Sequence, residues 1–416
     1  MSHDLKNLSI LDFTYTLPDE RIARFPLEQR DASKLLVYAN GSIADTTFNR
    51  LPDFLKSGDR MVFNETKVIH ARLLFHKETG GTIEVFCLEP ANRNDPAIAL
   101  MQKGESTWQV MIGNAKRWKE QLLEMNLTLS GFDVRLRAER LQANADGERV
   151  RFSWNSDHTF SEIIDAAGKL PIPPYLKREA VPADESTYQT VYARNEGSVA
   201  APTAGLHFTP DVLQELSDKG IDRSYLTLHV GAGTFKPVKA DTMAGHEMHR
   251  EQIDVDIPTL EELHAFFKKR ESSGEKDPER LIAVGTTSLR TLESLYWMGC
   301  LLLRGDERWT VDQWTPYDLE GDAVTAAAAL EKLIIALKRS GRERLTASTS
   351  LLIGPGYEFR MADALITNFH QPGSTLLLLV GAFIGEDWKN VYRHALENGY
   401  RFLSYGDSSL LFRKNQ

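Results

Sequence analysis

Cysteine is scarce: Cys87 and Cys300 are the only two in 416 residues, too few for a disulfide framework or a cysteine-based zinc centre. Long apolar runs are missing, and the longest, around 376–380, falls far short of the roughly 20 residues a spanning helix needs. The first residues lack the charged-then-apolar pattern of a secretory signal, so a cytoplasmic protein is expected. There is no well-placed G-x-G-x-x-G unit followed about 20 residues on by an acidic one, which argues against a Rossmann-type dehydrogenase or methyltransferase. Excess positive charge is absent too, since 49 Lys+Arg against 58 Asp+Glu leave a net charge of −9. Spread evenly, that balance would disfavour a nucleic-acid partner.

It is not spread evenly. Residues 73–154 carry eleven basic and eleven acidic side chains, so the acidic excess lies elsewhere. Within them Lys116, Arg117 and Lys119 flank Trp118, while Arg135 with Arg137, and Arg149 with Arg151, recur at a spacing of two. That spacing puts each pair on one face of a strand, which suits either an ordinary solvated face or a surface that tracks phosphates. The same region reads as a small all-β unit, with β-prone runs at 82–88, 107–112, 127–129, 134–136 and 150–154 divided by Gly, Asn and Asp. From about Ala200 helices and strands alternate: helix 210–219, strand 225–230, helix 259–270, strand 281–285, helix 288–297, strand 363–369 and helices 374–385 and 387–397. The expected fold is an α/β main domain, residues 1–72 and 155–416, with an inserted small all-β, barrel-like domain at 73–154.

The stretch 188–220 is the most unusual. A run of small residues, Gly197 to Gly205, leads to a single imidazole, His207, and then to a well-marked helix with Thr209 as cap, Pro210 at its first position and Gly220 at its end. Small side chains admit a close ligand or backbone. Its place just ahead of a helix N-terminus would lower the pKa of His207, and a loop imidazole at the lip of a site would add little to the core.

Three further motifs, His229–Thr234 (HVGAGT), Gly285–Ser288 (GTTS) and Asn368–Ser374 (NFHQPGS), each follow an apolar strand. In α/β sheets that is the end where ligands bind. Thr287 or Ser288 as a helix cap is the plainer explanation of GTTS. His246, His249 and Glu251, with His229 or His370, have the residue types of a metal site. His-x-x-His is a frequent accident, however, and this one sits in a Gly/Met-containing loop, so no metal is expected.

Nine blocks now add up: PLEQRDASKLLVY (26–38), GDRMVFNETKVIHARL (58–73), PIPPYLKRE (171–179), LTLHVGAGTFKPV (226–238), HEMHRE (246–251), AVGTTSLRTLES (283–294), GPGYEF (354–359), LITNFHQPGSTLLLLV (365–380) and YRFLSYGD (400–407). Together with YQTVYA…GSVAAPTAGLHFT they resemble, in order and almost from end to end, the S-adenosylmethionine:tRNA ribosyltransferase-isomerases of queuosine biosynthesis. The resemblance implies a β-barrel inserted into an α/β domain. It also implies transfer and isomerisation of the ribosyl moiety of S-adenosylmethionine onto 7-aminomethyl-7-deazaguanine at the tRNA wobble position, giving epoxyqueuosine, adenine and methionine. The partners expected are that tRNA and S-adenosylmethionine as co-substrate, with no other cofactor, no metal and no membrane, for a monomeric enzyme.

Such chemistry needs a base near the 5′ hydrogens that the sulfonium acidifies, an acid for the departing adenine, and a neutral acceptor amine. His207, His229, His370, Glu251 and Asp407 are the candidates, each with an orienting or structural role as its alternative; which is acid and which is base stays open. Thr203, Gly205, Gly231, Gly233, Thr234, Thr286, Thr287, Ser288, Arg290, Asn368 and Tyr405 are the substrate-binding candidates, and Lys116, Arg117, Arg135 and Arg137 the tRNA-binding ones.

The chain departs from the family pattern at Glu65, where Asp is expected, at His70, where Pro is usual, and in extra chain between Leu295 and Ser348. That chain reads as a helix with Ala327, Leu330, Ile334 and Leu337 on one face, Asp322 as a possible cap and Gly341 as a stop, a cover for a core edge rather than a docking helix. It leaves open a paralogue acting on another nucleoside or a small-molecule acceptor. A silent RNA-binding relative is disfavoured by the intact GLHFT, HVGAGTF, TNFH and SYGD motifs.

Overall fold

A computed structural model describes residues 2–77, 80–91, 96–119, 122–144, 147–231, 240, 242–274, 276–319 and 324–414. Its centre is a ten-stranded sheet in the order Thr310–Val311, Arg344–Thr349, Glu251–Asp256, Asp222–His229, Arg60–Asn64, Leu281–Val284, Ala364–Asn368, Ser408–Phe412, Lys34–Ala39 and Ser42–Thr47. The four strands from Asp222–His229 to Ala364–Asn368 run parallel. Their central residues, 61–63, Leu281–Val284 and 364–366, are apolar and buried, as strands covered on both faces must be. Alternate residues go to opposite layers. Met61, Phe63, Ile282, Val284 and Ile366 meet Phe48, Phe208, Val212 and Leu216 on one side. Val62, Leu281, Ala283 and Leu365 meet the helices Ile257–Ser273, Thr286–Leu303 and Thr375–Ile384 on the other.

Because neighbours are parallel, the carboxyl ends of four strands share one edge: Asn64, His229, Val284 and Asn368. Ser408–Phe412 is antiparallel to Ala364–Asn368 and parallel to Lys34–Ala39, so Asp407 and Ser33, just before those two strands, reach the same edge. The helix and strand expectations from Ala200 onward hold to within a few residues, except that helix 288–297 runs on to Leu303, while the strands Glu251–Asp256, Thr310–Val311, Arg344–Thr349 and Ser408–Phe412 are additions.

A second sheet has seven strands in the order Gly168–Lys169, Arg72–His76, Thr82–Pro90, Glu105–Gly113, Gly147–Trp154, Phe132–Asn144 and Leu122–Leu129. The sheet curls, bringing Leu122–Leu129 beside Arg72–His76, but those strands share no ladder among the described residues. Its concave side holds a separate apolar cluster around Phe75, Trp108, Leu136 and Phe152. The helix Phe160–Ala167, started by a Thr159–Glu162 capping box, covers that cluster with Phe160, Ile163 and Ile164.

The helix expected between Leu295 and Ser348 is Ala326–Arg339, and its cap is Thr325, whose hydroxyl accepts from Ala328 N–H; Asp322 lies outside the described residues. Leu330, Leu333 and Leu337 are fully buried. A Cβ built on Gly299 would lie 2.3 Å from the Ala329 carbonyl oxygen, so the helices touch backbone to backbone. The segment covers the core.

Candidate functional site

The shared strand edge collects most of the predicted residues. His207 ends a short 3-10 turn, Thr203–His207, and its ring nitrogens are both taken: Nδ1 lies 2.8 Å from Ser33 Oγ and Nε2 3.1 Å from Asn368 Oδ1. The ring stacks on Phe48 at 5.0 Å and is only 5% exposed. Burial, opposed by the Asn368 hydrogen bond, lowers its pKa to about 4. The expected direction is therefore found, but the cause is desolvation rather than a helix end, and the residue is not at a lip. Asp407 is equally committed, accepting from Lys34 N–H at 3.0 Å, Arg401 N–H at 2.7 Å and the Arg401 guanidinium at 3.2 Å.

At the other end of the edge, His229 is buried with Nδ1 2.9 Å from Thr66 Oγ1. Gly197, at φ +143°, lies against that ring, and a Cβ there would come within 2.8 Å of His229 Cε1. Gly205 is similarly filled: a Cβ would meet the Tyr192 hydroxyl at 2.0 Å. At these two glycines the room expected for a ligand is occupied by the protein's own rings. Gly231 differs: no described residue comes within 4 Å of where a Cβ would stand. Gly233 and Thr234 lie outside the described residues.

Between these ends stands the start of the helix Thr286–Leu303. Its N-cap is Gly285, with no side-chain cap, so neither Thr287 nor Ser288 is the cap expected from GTTS. Both hydroxyls are buried and have no partner among the described residues. A Cβ on Gly285 would lie 3.6 Å from the Ala204 Cβ, which brings the small-residue run, half-buried Thr203 included, against this helix start. One turn on, the Arg290 Nη1 donates to Glu251 Oε2 in a buried ion pair. His370, beyond the end of Ala364–Asn368, has Nε2 2.8 Å from Thr367 Oγ1, and its backbone is held by Tyr392 and Tyr15. Burial lowers its pKa to about 4. From the His229 strand to the Asn368 strand is three interstrand steps, about 15 Å.

Three residues fall elsewhere. Tyr405 donates to Asp184 Oδ1 at 2.7 Å, and Asp184 is itself clamped by both Arg178 Nη atoms, a cross-link rather than an open group. His246 and His249 stay in a loop on the half-buried to exposed surface, and among the described residues no three His, Cys, Asp or Glu form a metal-holding group.

The family model "Queuosine biosynthesis protein" matches residues 10–411. The chain belongs to this family. It is 39% identical over 409 residues to the S-adenosylmethionine:tRNA ribosyltransferase-isomerase of Azoarcus sp. (strain BH72), covering 98% of this chain and 99% of that one. With the protein of the same name from Aromatoleum aromaticum the identity is 40% over 410 residues, again 98% and 99% of the two chains. It also resembles the crystal structure of S-adenosylmethionine tRNA ribosyltransferase from Thermotoga maritima, at 27% identity and a TM-score of 0.45 over 96% of this chain and 100% of that one.

In this member of the queuosine family the partners that fix each imidazole, Ser33, Thr66 and Thr367, were not anticipated. Each lies inside a quoted block or the strand it ends, but a hydroxyl carries no signal of which ring it will meet. Glu65, noted only as a departure, sits at the end of Arg60–Asn64 with its pKa raised by burial. Of the basic candidates, Lys116 and Arg117 are exposed on the turn Ala115–Arg117, and Arg135 and Arg137 share an exposed face of Phe132–Asn144 as their spacing implies. Arg137 donates to Glu124 at 2.8 Å, and Arg151 pairs with Glu139. Lys116, Arg117 and Arg135 form no ion pair with a described residue.

Among the described residues no helix is long and apolar enough to cross a membrane.

Proposed function

We propose that this chain is an S-adenosylmethionine:tRNA ribosyltransferase-isomerase, moving the ribosyl moiety of S-adenosylmethionine to 7-aminomethyl-7-deazaguanine in the tRNA anticodon. The observation that carries the reading is identity of 39% and 40% across nearly the full length of relatives with that name. The strand edge from His229 to Asn368 is the S-adenosylmethionine site, and its polar groups on an apolar scaffold suit a nucleoside. His370 is the first candidate for proton transfer: burial keeps it neutral at pH 7 and only Nε2 has a partner among the described residues. His229 is the second. His207 and Asp407, with their polar atoms engaged, are positioning residues that hold Asn368 and the chain entering Lys34–Ala39.

The curled sheet is read as the inserted β unit, residues 73–154, with its own apolar cluster around Trp108 and Phe152 in support. Its Lys116, Arg117 and Arg135 contact tRNA phosphates. The enzyme works in the cytoplasm, where its tRNA is.

The test is incubation with S-adenosylmethionine and tRNA bearing the deazaguanine precursor, followed by mass analysis of the RNA nucleosides. Adenine release that depends on that tRNA, with the matching gain in nucleoside mass, is expected. Adenine released with an unmodified RNA would point to a different acceptor and overturn the assignment.

A further inference from the structure

Arg290 is 8% exposed and its guanidinium is half used. Nη1 donates to Glu251, while Nε and Nη2 are buried with no hydrogen-bond partner among the described residues. Buried donors left unpaired are rare in folded proteins because desolvation is then uncompensated. The two idle atoms define one edge of the fork, the edge whose parallel N–H bonds match both oxygens of a carboxylate. A side chain from the second helical turn leans back toward the N-terminus. Glu251 opens the strand that pairs antiparallel with Asp222–His229, with Gln252 opposite His229, so the guanidinium stands at the strand edge.

The surroundings ask for an anion as well. Thr286–Leu303 has 18 residues and starts at Gly285 with no side-chain cap, so its first N–H groups carry the positive end of the helix dipole toward the same edge. Thr287 lies three residues before Arg290, on the same helix face, and its Oγ1 is buried and unpartnered. The neighbouring Arg290–Glu251 pair is neutral as a unit. One more carboxylate would therefore meet a free guanidinium edge, a free hydroxyl and a helix start, with no like charge left unbalanced by the pair.

Resting on the function proposed above, we infer that this pocket takes the α-carboxylate of the methionyl part of S-adenosylmethionine, held by Arg290 Nε and Nη2 with Thr287 Oγ1 as a further donor. The amino-acid end then lies at the start of Thr286–Leu303, and the nucleoside extends along the edge toward Asn368. Methionine, once released, keeps the same carboxylate and competes for the same place.

Calorimetric titration of the full-length protein with S-adenosylmethionine and with its decarboxylated analogue tests this without touching the fold. The analogue is expected to bind roughly 30- to 100-fold more weakly, the loss of a charge-assisted bidentate pair. Thr287→Val should weaken S-adenosylmethionine about 3- to 10-fold and leave the analogue unchanged. Arg290→Lys should cost S-adenosylmethionine far more than the analogue, and methionine should compete with S-adenosylmethionine in the wild type. Equal affinities for the two ligands overturn this inference alone, as does a variant that weakens both by the same factor. Wild-type protein that binds neither overturns the functional reading as well.

Discussion

His207 Nε2 lies 3.1 Å from Asn368 Oδ1, and Asn368 is itself fixed because its Nδ2 donates to the carbonyls of Leu403 and Ser404 at 2.9 and 3.2 Å. Oδ1 is thus the acceptor, so the imidazole carries its proton on Nε2 and Nδ1 accepts from the Ser33 hydroxyl. The neutral ring ties together the turn Thr203–His207, the end of Ala364–Asn368 and the chain entering Lys34–Ala39.

His207→Ala is therefore expected to destabilise the protein, against the expectation for a loop residue. It leaves a cavity beside Phe48 and strands two buried polar groups, a loss of about 2–4 kcal/mol. Urea unfolding measures it, and a loss below about 0.5 kcal/mol would show that the network is dispensable. His207→Gln keeps both a donor and an acceptor and should recover part of the stability.

Opposite pH limbs follow from three histidines. His207 and His370 have pKa values lowered to about 4, so below about pH 6.5 the unfolded chain binds protons that the fold refuses. Stability is present above pH 6.5 and falls as pH drops toward 4. His70 is the reverse: hydrogen bonds to Asp165 and then Glu185 raise it to about 9 against burial. Its contribution is full below about pH 6.5 and is lost as pH rises through about 9. With both carboxylates half-exposed, it amounts to about 1 kcal/mol. His70→Asn should flatten the alkaline limb of a thermal-stability profile and leave the acid limb intact; an unaltered alkaline limb would remove His70 from the account.

What the sequence made legible was periodicity. Helix Pro210–Asp218 has its cap at Thr209 and Pro210 where expected, and alternation along Phe132–Asn144 put Arg135 and Arg137 on one exposed face, because spacing fixes the face of a regular element. Edge residues such as His229 and Asn368 were found because motifs that follow apolar strands end at the carboxyl edge. Pairings between distant segments were not legible. Nothing local says that Ser33 meets His207 across 174 positions, or that Tyr192 fills the space at Gly205. Glycine in a motif signals close approach without naming what approaches.

The basic surface makes its own prediction. Lys116→Glu with Arg117→Glu should weaken tRNA binding by at least tenfold at about 0.1 M salt and lower the slope of log affinity against log salt by roughly two. S-adenosylmethionine affinity should not change. Arg137→Ala, which removes a residue already paired with Glu124, should have a smaller effect. Unchanged tRNA affinity in the double variant would take this face out of the interface.

His370 carries the last prediction. Its backbone is pinned by Tyr15 and Tyr392 and its Nε2 by Thr367, so the ring is aimed rather than free, and burial leaves it unprotonated at neutral pH. A residue that takes up a proton in the transition state should be replaceable in the fold but not in turnover. His370→Gln can still bond to Thr367, so its melting temperature should stay within about 4 °C of wild type and S-adenosylmethionine binding should be little changed. Single-turnover ribosyl transfer should nevertheless fall by roughly 100- to 10,000-fold. A rate within threefold of wild type would make His370 another positioning residue and move the proton transfer to His229, where His229→Gln would then have to show the loss.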